Sequence, residues 1–86
     1  ADPSPVVRVA AAHAMCDWGA EEDGLAVLAK ALKHPTDKVR MFAIVALDKL
    51  GPRAQPVLEQ IRAATKDSDN YVGRVALTVI SRFEQG

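Results

Sequence analysis

An all-α fold, a short right-handed α-solenoid of five helices in about two and a half hairpins, is predicted by three features of the chain. The pattern Val7-Arg8-x-x-Ala11-x-x-Ala14-Met15-x-x-Trp18-Gly19 returns as Val39-Arg40-x-x-Ala43-x-x-Ala46-Leu47-x-x-Leu50-Gly51, and more weakly as Val72-Gly73-x-x-Ala76-x-x-Val79-Ile80-x-x-Phe83. Successive copies lie 32 and 33 residues apart, the length of a helix-pair repeat that cannot bury its apolar face without its neighbours. A residue able to cap a helix precedes each copy (Ser4, Thr36 and Asp69), and no segment alternates at the period of a strand.

The repeated segments predict helices over 5–18, 37–50 and 70–83. Pro5 suits a first helical position, where no amide donor is needed. Gly19 and Gly51 stand where a left-handed closing residue is wanted, and Pro52 prevents continuation. Between these helices, Leu25, Leu28, Ala29 and Leu32 recur on one face of a helix expected over 22–33. Val57, Leu58, Ile61 and Ala64 do the same over 54–65, with Pro56 in the first turn, where it removes no helical hydrogen bond. The helix at 37–50 is apolar almost all round, as a middle layer should be. The helix at 5–18 carries a similar apolar load, so it does not have the polar outer face of a terminal cap.

Eighty-six residues make one small repeat domain, 1–86. Nearly half are hydrophobic but only four are aromatic, so alanine supplies the close helix packing. Eleven basic and eleven acidic side chains cancel, which argues against nucleic acid or an anionic membrane as partner. No apolar run reaches the length of a membrane span. Cys16 is the single cysteine and forms no internal disulfide. The absence of an initiator Met suits a processed chain or a piece of a longer one; compartment is left open.

His-Pro or Asp-Pro, a cap, Val-Arg, spaced small residues and a closing Gly together resemble HEAT-like repeats, over essentially the whole chain. The resemblance implies a polar ladder between neighbouring repeats, built from an Asp six positions before the Arg. Asp2 with Arg8 fits in full; His34 replaces the Asp before Arg40, and Asp67 is followed by Gly73 where Arg belongs. A partial ladder is therefore expected, with Arg8 or Arg40 reaching an acid of an adjacent turn. The stretches Leu32-Lys33-His34-Pro35-Thr36-Asp37-Lys38-Val39-Arg40 and Ala46-Leu47-Asp48-Lys49-Leu50-Gly51-Pro52-Arg53-Ala54 also resemble the HEAT-like tail of some bacterial sulfatases, continued by Asn70-Tyr71-Val72-Gly73-Arg74-Val75-Ala76. Such a tail follows a catalytic domain. The sulfatase motif itself needs Cys or Ser, then x-Pro-x-Arg, and Cys16-Asp17-Trp18-Gly19-Ala20 has neither the Pro nor the Arg.

In stacked hairpins the repeated helices line the concave surface, so matching positions form rows. These are Val9, Met41, Arg74; His13, Val45, Thr78; Cys16, Asp48, Ser81; Asp17, Lys49, Arg82; and, at the edge, Val6, Lys38, Tyr71. Met41, Tyr71 and Arg74, with Val45 and Lys38, are the candidate protein-binding residues, because Tyr, Met and Arg are enriched in interfaces. A second candidate is the side of helix 5–18 that lacks a preceding partner: Val7, Ala11, Ala14, Met15 and Trp18. Trp18 also aligns with Leu50 and Phe83, which makes it a candidate core anchor.

Catalytic, cofactor and metal sites are not expected. His13 and His34 have no second histidine at helical spacing, and Cys16, whose one possible activator is His13 at i−3, reads as a semi-buried inert thiol. The run Glu21-Glu22-Asp23 complements a helix N-terminus. A pocket gathering His13, Cys16 and Asp48 would be needed for an enzyme. Arg74, Arg82 and Lys49 could form a small basic cluster like that of HEAT-like DNA-base excision enzymes, but Asp17, Asp48 and Glu84 interrupt it.

The function expected is therefore non-catalytic: protein interaction or structural support, docking on another domain of the same chain or on a separate protein through helix 5–18. The alternative is a peptide- or helix-binding concave face. An open helix 5–18 also allows weak dimerisation. The repeat grammar places Ala43 and Ala46 where helices cross closely, so Ala46→Leu should overpack the site and cost about 1–3 kcal/mol, read as a lowered melting temperature.

Overall fold

The computed structural model describes residues 4–85. Helix α1 spans Pro5–Asp17, α2 Glu21–Ala31, α3 Asp37–Leu50, α4 Leu58–Ala64 and α5 Asn70–Gln85, with a 3-10 segment Gly51–Val57 between α3 and α4. The described residues contain no strand. α1 packs on α2 and α3, α3 packs on α5, and α5 packs on α4.

Local chemistry explains most of the boundaries. The Ser4 hydroxyl accepts from the Val7 amide at 3.2 Å, and Pro5 begins α1. Asp69 Oδ1 accepts from the amides of Tyr71 (2.9 Å) and Val72 (3.1 Å) at the start of α5. Thr36 does not cap with its side chain. Instead its own amide donates to His34 Nδ1 at 3.0 Å, which fixes the turn into α3. Gly19 and Gly51 have positive φ, +94° and +60°, as their closing roles require.

The continuous helix expected over 54–65 is corrected. Pro52 and Pro56 have no amide to donate. The chain takes 3-10 geometry through Pro52 and Pro56, and α-helix begins only at Leu58. The tighter helix still seats Ala54 and Val57 in the core.

That core runs through all the helices, and its largest fully buried side chains are Leu28, Ile44, Leu47, Ile61 and Val72. α3 contributes from most of its circumference (Val39, Ala43, Ile44, Ala46, Leu47 and Leu50). α1 buries only Val9, Ala12 and Cys16. Its contact with α2 is close because residue 24 is glycine: a Cβ there would stand 2.5 Å from the Ala12 carbonyl oxygen and 2.8 Å from Cys16 Sγ.

Two arginines tie the helix layers together. Arg40 of α3 donates from Nε to Asp67 Oδ2 at 2.8 Å and from Nη2 to Asp67 Oδ1 at 3.2 Å. Its Nη1 donates to the carbonyls of His34 (2.8 Å) and Pro35 (3.1 Å). This is the expected reach of Arg40 to an acid of the adjacent turn; the Asp2–Arg8 contact lies outside the described residues. Arg53 donates to Glu21 Oε1 at 2.9 Å, Asp17 Oδ1 at 3.0 Å and the Cys16 carbonyl at 2.6 Å. It thereby satisfies a carbonyl at the end of α1. The glutamate and aspartate hold the Arg53 guanidinium above its ordinary pKa.

The Arg40 and Asp67 side chains are only 14% and 8% exposed, so removing one partner strands a buried charge. Asp67→Ala should cost about 3 kcal/mol, seen as a fall in the urea midpoint. Arg53→Ala, whose ion pairs face solvent, should lower the midpoint clearly less.

Candidate protein-interaction surfaces

The consensus face of α1 lies open. Val7 is 54% exposed and Trp18 83% exposed; Ala11 is exposed, and Ala14 and Met15 are half-buried. The equivalent residues of α3 (Val39, Ala43, Ala46, Leu47 and Leu50) are all buried. The difference is one of neighbours. α3 is covered on two sides, whereas among the described residues α1 has α2 and α3 against the side that carries Val9, Ala12 and Cys16. Trp18 as a core anchor is thus corrected: it closes α1 with its amide on the Ala14 and Met15 carbonyls, and its ring lies outside.

The expected concave rows separate into two sets. Lys38, Tyr71 and Arg74 are exposed. Met41 and Val45 are half-buried and pack against the core, so Met41 is not the freely presented side chain expected. Val9 and Cys16 are buried altogether, because their side of α1 faces the neighbouring helices. A shallow groove of about 220 Å³ between α1 and α3 is lined by His13, Phe42, Val45 and Lys49, among others.

The three residues an enzyme would need are not gathered. Cys16 Sγ donates to the Glu21 carbonyl at 3.8 Å, Asp48 is bound to Arg82 across the α3–α5 contact, and His13 lines the α1–α3 groove. Arg82 is thereby withdrawn from the basic cluster expected with Arg74 and Lys49. Burial pushes the Cys16 thiol above its ordinary pKa, and the opposing pull of Arg53 does not offset it. Among the described residues no three His, Cys, Asp or Glu side chains converge as a metal site, and no helix is long and apolar enough to cross a membrane.

Two polar features escaped the sequence reading. Glu21 and Arg53 lie 32 residues apart, at equivalent positions with opposite charge, which is a legible signal for the Arg53 contact. The second is a groove of about 540 Å³ between α1, α2 and the turn into α3, with Arg8, Lys30, Lys33 and His34 on its walls.

A family model for HEAT repeats matches residues 1–81. The chain belongs to the HEAT-repeat family, whose members generally serve as protein-interaction scaffolds and are typically non-enzymatic. No curated protein and no solved structure matches the chain.

The environment of Cys16 has a direct chemical consequence. A buried thiol with a raised pKa is a poor nucleophile, so a thiol reagent should label the native chain roughly tenfold or more slowly than the urea-unfolded chain.

Proposed function

We propose that this chain is a non-catalytic interaction module, a short right-handed solenoid that docks on another protein domain through the open face of α1. The observation that carries the reading is the contrast between equivalent residues: Val7, Ala11, Met15 and Trp18 lie outward, while Val39, Ala43, Leu47 and Leu50 are closed over. Full burial of a Val or Met side chain contributes about 1.5–3 kcal/mol. A surface offering Val7, Met15 and a tryptophan on a small-residue background therefore has a strong drive to be covered. The likeness to the tails of some bacterial sulfatases supports the same reading, an accessory segment seated on a neighbouring domain.

A second reading uses the other surface. Tyr71, Arg74 and Lys38 stand exposed, and Phe42 is 40% exposed beside Val45 in the groove between α1 and α3. This surface suits a peptide or a partner helix.

Light scattering across a concentration series separates the two. If the α1 face is the docking surface, the isolated chain should self-associate toward a dimer. Met15→Glu and Trp18→Ser should then give folded monomers, Trp18→Ser with little change in melting temperature, since its side chain is 83% exposed. A monomer at every concentration would move the docking role to the Tyr71–Arg74 surface.

A further inference from the structure

The α1–α3 junction differs from the α3–α5 junction at one chemically telling position. At the α3–α5 junction, Asp67 does two things. Its Oδ1 accepts from the amide of Asp69, two residues on, and its carboxylate takes the Arg40 guanidinium in a bidentate pair. His34 stands at the equivalent place one repeat earlier, and it reproduces the first role alone: Nδ1 accepts from the amide of Thr36, two residues on. An imidazole cannot supply the second role. With Nδ1 used as acceptor, the ring carries its proton on Nε2 and presents a donor.

Arg8 is the repeat equivalent of Arg40, and beside His34 it lines the 540 Å³ groove. Lys30 and Lys33, both exposed, line the same groove, and among the described residues no acidic side chain does. In a chain of zero net charge, this is a local positive excess. Between these groups the groove is largely apolar: Val27 and Pro5 are exposed along it and Ala31 half-buried, over a floor where Val9 and Val39 are buried. The wall formed by His34 and Pro35 is held in place, because both carbonyls are engaged by Arg40.

We propose that this groove binds an acidic, aliphatic peptide segment, whose carboxylate takes at the α1–α3 junction the place that Asp67 holds at the α3–α5 junction. Arg8 supplies the planar fork suited to a carboxylate. Lys30 and Lys33 add positive charge at the rim, and His34 Nε2 adds a donor. The apolar lining, Val27 with Pro5 and Ala31, selects a peptide with aliphatic side chains over a nucleic acid or phosphate, which would leave it uncovered. The volume falls in the ~300–1,000 Å³ range of sites that enclose a small ligand. This site lies away from Val7, Ala11, Met15 and Trp18 and does not depend on the docking role of that face.

The test is fluorescence anisotropy with a labelled, end-blocked hexapeptide of alternating glutamate and leucine, titrated with the 86-residue chain at low salt. Saturable binding is expected, weakened about tenfold or more when glutamine replaces glutamate and weakened again by added salt. Arg8→Ala and Lys33→Ala should each reduce affinity by a similar factor while circular dichroism shows the fold retained. His34→Asp is the sharpest variant. It supplies the chain's own carboxylate, so it should raise the melting temperature while lowering peptide affinity about tenfold. No saturable binding up to millimolar chain would overturn the proposal. So would equal binding of the glutamine peptide, or unchanged affinity in both Lys33→Ala and His34→Asp.

Discussion

Helix α3 is covered by α1 and α2 on one flank and by α5 on the other, and the other helices are built around that arrangement. A helix with Val39, Ala43, Ile44, Ala46, Leu47 and Leu50 spread around most of its circumference is stable only when neighbours exclude water from both sides. α5 closes the stack differently. It buries Val72, Ala76, Val79 and Ile80 and leaves Arg74, Thr78 and Arg82 in solvent. α1 belongs to neither type. It has the side-chain content of a middle helix and the neighbours of an end helix, so part of its apolar surface stays wet.

Apolar packing alone would not fix which layer lies next to which, because small and aliphatic faces of similar shape are interchangeable to within a few kcal/mol. The arginines supply direction. Arg40, near the start of α3, holds the turn before α5, while Arg53, just after the end of α3, holds the turn between α1 and α2. Each junction is thus tied by a contact that the other lacks. The charges at equivalent positions are opposite, Glu21 in one layer and Arg53 in the next, so two copies of the same layer would set like charges together. The buried member of the set, Arg40–Asp67, also engages the His34 and Pro35 carbonyls, which makes one side chain responsible for two turns.

Much of the fold was legible because helix punctuation is local. Ser4, Pro5, Gly19, Gly51 and Asp69 act at the positions their chemistry suggests. The expected α-helix over 54–65 begins only at Leu58, after a 3-10 segment that carries Pro52 and Pro56, neither of which has an amide to donate. Burial was less legible, since it depends on which neighbours are present. Trp18 aligns with buried Leu50 and half-buried Phe83, yet it lies 83% exposed because none of the described helices covers that side of α1. Val9 and Cys16 were assigned to an open row and prove buried, since the α1–α2 crossing turns that side inward. The clue to that crossing was Gly24, a glycine within a helix where alanine would fold better unless a neighbouring backbone stood too close.

The residues that follow the repeat account for folding, and the two surfaces proposed for interaction sit where the repeat is broken. At position 18 a tryptophan stands 83% exposed where the equivalent Leu50 is buried. An aspartate at position 34 would serve the ladder as Asp67 does; the histidine keeps the turn and gives up the ion pair. Both departures leave local structure intact, since α1 still closes at Trp18 and the turn into α3 still forms at His34. They alter only what each position offers to a neighbour. A stack whose members resemble one another this closely can present a specific surface only through such exceptions, because a perfectly regular array would offer the same face at every layer. The open α1 face and the Arg8–His34 groove both lie at such departures: Trp18 where the next layer has Leu50, and His34 where it has Asp67.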